Sequence, residues 1–307
     1  MIYITGATGF IGQPLCNELY KAGFSVCAIT RRMLAAKHIL GDHVKVMSWN
    51  EAGVPDLVFD KEDAIINLAG ENVGRGVWCK KKKQKIMASR MDATEQLVEA
   101  IRQSPSKPAT FIQASGIGYY GDGGDDVLTE ESAKGAEFLS DVAAQAEACA
   151  PALEEMGVRV VMLRTAVVLG AEGGALPRML QPFKAHVGGV PGSGRQFISW
   201  IHLDDEVRAI LHVLKNQNLR GPFNLSAPDT VDARTFFKQI GHVLGASAWL
   251  PIPAWVIKLM TGQKGQELIL SSKRVVPKKL LESGFEFSYP SLKQALENIL
   301  KKYKGES

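Results

Sequence analysis

The run Thr5-Gly-Ala-Thr-Gly-Phe-Ile-Gly12 constrains this chain more than any other feature, because three glycines at that spacing suit one kind of turn. Met1 to Ile4 make a short apolar strand, and Phe10, Ile11, Leu15, Leu19 and Tyr20 recur at helical spacing over residues 10 to 22. The glycines therefore lie in a strand-to-helix turn. Gly6 permits a tight bend, Gly9 lets backbone N–H groups approach a pyrophosphate, and Gly12 lets the helix pack on the strand. The helix N-terminus adds partial positive charge there. Thr8, Phe10 and Ile11 complete a candidate dinucleotide cradle with Gly6, Gly9 and Gly12. The competing account is a purely structural turn followed by a solvated basic loop.

A second strand, Ser25 to Thr30, delivers its carboxyl end to where an adenosine ribose would lie. An acid at that position binds the 2′-hydroxyl of NAD. Here the chain offers Thr30, Arg31 and Arg32, and guanidinium groups suit a 2′-phosphate, so the expected cofactor is NADP.

The chain has 307 residues, of which 46% are hydrophobic, enough for a large core in one α/β domain or one domain with a smaller lobe. A formal charge of +4 gives no case for a nucleic-acid partner. The strongest local bias is Lys80, Lys81, Lys82, Lys83 and Lys85, read as a solvated helix start with a phosphate-facing patch as the alternative. Cys16, Cys27, Cys79 and Cys149 are scattered without metal-ligand spacing, so reduced thiols and no metal site are expected. No secretory signal or membrane-spanning run is evident, and a cytoplasmic protein without a membrane partner is expected.

Strands and helices alternate as in a doubly wound parallel sheet. Val44 to Met47, Ala64 to Leu68, Thr110 to Ala114 and Val158 to Leu163 are the third to sixth expected strands. Helices are expected over Lys82 to Gln103 and over Glu137 to Met156. The fold class is thus α/β, a Rossmann domain with a small mixed, mainly helical C-terminal lobe. The cofactor domain is assigned to 1–170, with 201–226 returning to it; 171–307 supplies substrate-side loops and the lobe. Past Leu169 glycine and proline become frequent, and Gly188 to Arg195 reads as a hairpin or cleft-lining loop. Asp204 and Asp205 are placed to cap a helix from about Asp204 to Asn216, with further helices near 232–244, 254–260, 264–270 and 291–302. Phe223 to Leu225 reads as one short added strand.

Ligands of such sheets bind where strands end. Asn67, Leu68, Ala69, Gly70, Glu71 and Asn72 leave the fourth strand with small residues opposite the glycine turn. Ser115, Tyr119 and Tyr120 leave the fifth and are the candidate catalytic hydroxyls. His202 is a weaker acid–base candidate, and Ser193 with Arg195 in a glycine-rich loop suits capture of an anionic small-molecule substrate. Trp49, Trp78, Trp200, Trp249 and Trp255 are dispersed; most are expected in the core or the lobe interface, with Trp78 and Trp200 candidates for the cleft.

Thr5 to Gly12, Asn67 to Gly70 and Ser115 to Gly121 resemble the extended or atypical short-chain dehydrogenase/reductase superfamily. More narrowly, Asn67 to Asn72, Gly188 to Gln196, Trp200 to Asp205 and Pro277 to Phe285 resemble the NAD(P)-dependent epimerase-like family of YfcH-type proteins and the short-chain dehydrogenase family 39 member. The resemblance implies NADP(H) contacts at the glycine turn, at Thr30 and Arg31, and at Leu68 and Ala69. It further implies Arg90 on a phosphate and Val168 against the nicotinamide, and a C-terminal domain over about 249–297. It implies a sugar-nucleotide-like substrate handled by an epimerase or oxidoreductase. The superfamily's chemistry uses a Tyr and a Lys four residues later. Aligning Glu147 with the acid that commonly follows that Lys puts Leu139 and Ala143 at the two positions. An NADP(H)-binding redox sensor without turnover is therefore the alternative. Reaction direction, substrate identity and oligomeric state stay open.

Overall fold

The computed structural model describes residues 1–49, 57–185, 187–246 and 250–304, so Trp249, the first residue of the expected C-terminal domain, lies outside the described residues. Seven parallel strands form the central sheet: β1 (Ile2–Thr5), β2 (Val26–Thr30), β3 (Val44–Ser48), β4 (Ala64–Asn67), β5 (Thr110–Ala114), β6 (Arg159–Thr165) and β7 (Gly221–Leu225). Their order is β7-β6-β5-β4-β1-β2-β3. Ile2 pairs with Val26 on one side and with Ala64 on the other. The direction of winding reverses between β1 and β4, which opens a crevice beyond their carboxyl ends.

Strands buried on both faces alternate their side chains between two cores. Ile2, Ile4, Val26, Ala28, Ile66, Ile112 and Val161 face one core, shared with Leu15 and Leu19 of α1 (Gly12–Lys21). Tyr3, Cys27, Ile29, Ile65, Phe111 and Val160 face the other. That second core also takes Leu97 and Ile101 of the helix Lys80–Gln103, which we call α3 because α2 (Met33–Leu40) precedes it. The lysine run is indeed a helix start.

The segment expected as one helix over Glu137 to Met156 is two, α4 (Phe138–Glu147) and α5 (Ala150–Glu155). Pro151 explains the break, since it has no N–H to donate and its ring would meet the carbonyl of Glu147 in a continuous helix. The break leaves Glu147 as the last residue of α4. The added strand is β7, a full five-residue edge of the main sheet paired with β6.

The lobe has its own core, where Phe236 and Ile240 of the helix Ala233–Leu244 meet Leu292, Leu296 and Ile299 of the final helix, Leu292–Lys304. Gly188 to Arg195 is not a hairpin. Gly189–Pro191 pairs in parallel with Leu250–Ile252, and the loop then turns at Gly192 and Gly194, both with positive φ. A parallel partner so distant in sequence leaves no local signal. The parallel pair Val167–Leu169 with Trp200–His202 continues from β6 and ties the lobe to the sheet edge.

Candidate functional site

The glycine turn is built without room for side chains. Gly6 has φ +69°, and a Cβ on it would stand 2.7 Å from the Leu68 carbonyl oxygen. A Cβ on Gly12 would stand 2.3 Å from the Gly6 carbonyl oxygen. Thr8 and Gly9 are exposed and Phe10 and Ile11 half-buried, so the turn opens to solvent. No side chain caps α1; the Gln13 and Leu15 amides close onto the Gly9 and Ile11 carbonyls and Pro14 carries no N–H, so the positive end of the helix dipole rather than a set of open amides faces the turn. An unfilled glycine cradle at a helix N-terminus fits the pyrophosphate of a dinucleotide.

Opposite it, β4 ends in a buried lock. Thr5 Oγ1 donates to Asn67 Oδ1 at 2.6 Å, and Asn67 Nδ2 donates to Gln113 Oε1 at 2.9 Å and Thr94 Oγ1 at 3.1 Å. The Ala69 N–H returns to Thr5 Oγ1 at 3.2 Å. Leu68 and Ala69 are thereby held at the rim of the crevice, half-exposed, with Gly70 exposed beside them. Arg90 lies against Gly70, where a Cβ would be 3.0 Å from its guanidinium carbon. Its Nη1 donates to the carbonyls of Glu71 and Ile86, and no described carboxylate pairs with it.

At the end of β2, Thr30 Oγ1 accepts from the Arg32 amide at 3.2 Å, and Arg31 and Arg32 are exposed. The three residues that leave β2 here, Thr30, Arg31 and Arg32, include no acid. Val168 is buried, its backbone paired with Ile201.

Ser115 and the tyrosines meet a buried ion pair. Ser115 Oγ donates to Glu147 Oε1 at 2.7 Å, and Arg164 takes both oxygens of that carboxylate, at 2.9 and 2.7 Å. The Arg164 guanidinium also stacks 3.5 Å over the Tyr119 ring. Its Nη1 donates to the Tyr120 oxygen, whose hydroxyl donates to Asn224 Oδ1 at 2.6 Å. Tyr120 is only 4% exposed and burial pushes its phenol up, so its hydroxyl faces the β7 edge and not the crevice. Ser115 and Tyr119 are half-exposed. Sequence reasoning missed this network; Arg164, a charge directly after the apolar run Val160–Leu163, was the signal for a buried partner.

Leu139 packs on Gly118, where a Cβ would lie 2.9 Å from the Leu139 Cβ, and Ala143 is buried. Nothing at those two positions can move a proton. The α4 N-terminus is held from the lobe: Glu267 accepts from the Phe138 and Leu139 amides at 3.1 and 2.9 Å, a role without sequence signal.

Three expectations are corrected. The helix Leu203–Lys215, α6, is capped by His202, whose Nδ1 accepts from the Asp204 amide at 3.0 Å; Asp204 and Asp205 stand in its first turn, where acids complement the dipole, and not at the cap. His202 is buried and stacks on Tyr289 with ring centroids 3.9 Å apart, which makes it a structural residue. Asp205 is buried and accepts from the Ser288 and Tyr289 amides at 2.8 Å each, anchoring the lobe's last segment. Trp200 is fully buried, its indole donating to the Asp229 carbonyl, so it does not line the crevice; Trp255 is exposed. Ser193 and Arg195 are exposed, joined by the Arg195 amide to Ser193 Oγ at 3.2 Å. Among the described residues no His, Cys, Asp and Glu group could hold a metal, and no helix is long and apolar enough to cross a membrane.

Comparison with known proteins agrees with this geometry. Residues 2–226 match the NAD dependent epimerase/dehydratase family, and residues 252–299 match DUF1731, a domain of unknown function. The chain is 38% identical over 301 residues to epimerase family protein YfhF of Bacillus subtilis, covering 97% of each. It is 35% identical to the chloroplastic SDR39U1 homolog of Arabidopsis thaliana, covering 97% of this chain and 86% of that one. The structure of human epimerase family protein SDR39U1 with NADPH superposes with a TM-score of 0.87 at 30% identity, covering 98% and 99% of the two chains. UDP-glucuronic acid 4-epimerase of Bacillus cereus shares the fold at a TM-score of 0.80 and 18% identity. By sequence over most of its length and by its Rossmann architecture, this chain belongs to the NAD dependent epimerase/dehydratase family and carries a DUF1731 domain over residues 252–299.

Proposed function

We propose that the protein binds NADP(H) in the β1–β4 crevice and acts on a small anionic, sugar-nucleotide-like substrate. The observation that carries the cofactor choice is the β2 corner, where Thr30, Arg31 and Arg32 replace an acid beside a glycine cradle. The glycine turn would cradle the pyrophosphate, Leu68, Ala69 and Gly70 would border the ribose, and Arg90 would offer a further guanidinium. Residues 1–170 with 201–226 would form the cofactor domain, and the protein would work in the cytoplasm. NADP(H) supplies or accepts hydride when bound.

For the substrate side, Ser115 Oγ has its hydrogen directed at Glu147 and presents lone pairs to a substrate hydroxyl. Tyr119, under the Arg164 guanidinium, is the remaining phenol for proton transfer, because Tyr120 faces the β7 edge. Ser193 and Arg195 would meet an anionic group. A second reading is favoured by Leu139 and Ala143: a sensor that binds NADP(H) and reports its redox state without turnover.

Titration of the purified protein with NADPH, followed by a panel of UDP-hexoses and small carbonyl compounds, tests both. NADPH binding with turnover lost in Ser115→Ala supports the enzyme. NADPH binding with no turnover on any substrate supports the sensor. Failure to bind NADPH contradicts both.

A further inference from the structure

The lysine run and the exposed apolar residues of the lobe form one face. The helix Ala254–Thr261 buries only Ile257, while Trp255, Leu259 and Met260 are 67%, 79% and 77% exposed. Trp255 and Leu259 are one turn apart, with exposed Lys258 beside them. Just beyond this helix, Lys264 donates to the Gly76 carbonyl at 2.8 Å, bringing in Val77, which is also exposed. Gln263 accepts from Lys83 at 2.8 Å, which joins the start of α3 to the same face. Lys83 also lies 5.1 Å over the Phe138 ring. A cavity of about 550 Å³ opens beneath it, with an apolar floor of Trp78, Met87 and Phe138 and a rim of Lys80, Lys83 and Gln84.

The excess charge of this face is positive. Glu71 pairs with Lys82 and Lys85, and no described carboxylate pairs with Lys80, Lys81, Lys83, Lys258 or Lys264. We infer that this face docks on an anionic lipid surface. Projecting Trp, Leu and Met side chains ringed by lysines match an interfacial anchor, in which apolar groups enter the headgroup boundary and lysines meet lipid phosphates. An acidic protein partner would require a recess for Trp255, Leu259 and Met260 on its own surface. A bilayer accepts them in any register.

The test is sedimentation of the full chain with vesicles of phosphatidylcholine containing 30% phosphatidylglycerol (~30% being a usual anionic fraction), against phosphatidylcholine alone. Binding to the anionic vesicles that weakens with salt is expected. Leu259→Ser with Met260→Ser should abolish it, and Lys80→Gln with Lys81→Gln should lower partitioning on the order of tenfold. All four side chains are exposed, so thermal unfolding should not move, and melting curves confirm intact variants. No binding to anionic vesicles, or equal binding to both compositions, overturns the inference. So does a concentration-dependent dimer that the serine variants abolish, which would show a second copy covering this face.

Discussion

Gly12 presses on Gly6: the carbonyl oxygen of Gly6 occupies the space a Cβ on Gly12 would need, 2.3 Å away. Backbone, not a movable side chain, makes that contact, so Gly12→Ala must displace either α1 or the turn. The expected cost is about 1–3 kcal/mol of stability, with loss of NADPH binding. Gly23→Ala is the control, because Gly23 has positive φ but nothing within 4 Å of a Cβ. Urea unfolding should show Gly23→Ala losing about 1 kcal/mol from backbone strain and leaving NADPH binding intact. NADPH binding and stability in Gly12→Ala no worse than in Gly23→Ala, with binding intact in both, would mean the turn tolerates a side chain at residue 12.

The Glu147–Arg164 pair is buried on both sides, with side-chain exposures of 9% and 5%. Glu147→Gln leaves Arg164 buried with a neutral partner, and about 3–5 kcal/mol should be lost. Ser115→Ala removes one bond to a half-exposed hydroxyl and should cost about 1 kcal/mol. Tyr120→Phe should fall between, since it strands Asn224 Oδ1. Chemical denaturation ranks the three. If Glu147→Gln proves the mildest, Arg164 is satisfied by other partners.

Glu206 on α6 is fully buried; Thr165 donates to its Oε1 at 2.9 Å, while its Oε2 has no hydrogen-bond partner among the described residues. Burial pushes its carboxyl up from 4.5 to about 8. Between those values the folded state holds the proton and the unfolded state releases it. Stability therefore falls as pH rises from about 4.5 to about 8, and the penalty is complete above that range. Glu206→Gln, which stays neutral, should flatten this slope and melt higher than the parent at pH 9 (about one unit above that range). An unchanged slope would show that Glu206 ionises freely when folded.

Much of the fold was legible because its signals are local. The apolar runs at Ala64 and Thr110, the glycine turn and the helical periodicity of α3 each depend on neighbours within a few residues. The β2 corner was legible for the same reason. What escaped was non-local. Glu267 caps α4 from more than a hundred residues away, Gly189–Pro191 pairs with Leu250–Ile252, and Asp205 looks like a helix cap until its bonds to Ser288 and Tyr289 are seen. His202 and Tyr120 carried the right chemistry for a site, yet packing turned both inward, against Tyr289 and Asn224. Residue type names a capability, and burial decides whether it is used.

The central claim is that this crevice selects NADP(H) through Arg31 and Arg32. The decisive measurement is the Kd of NADPH and of NADH for the parent chain and for Arg31→Ala/Arg32→Ala. Loss of two charge-assisted contacts should weaken NADPH by about 10- to 100-fold. NADH, lacking the 2′-phosphate, should change by less than about threefold, within the spread of a neutral surface substitution. Equal losses for both cofactors, or tighter binding of NADH than NADPH by the parent chain, would contradict it.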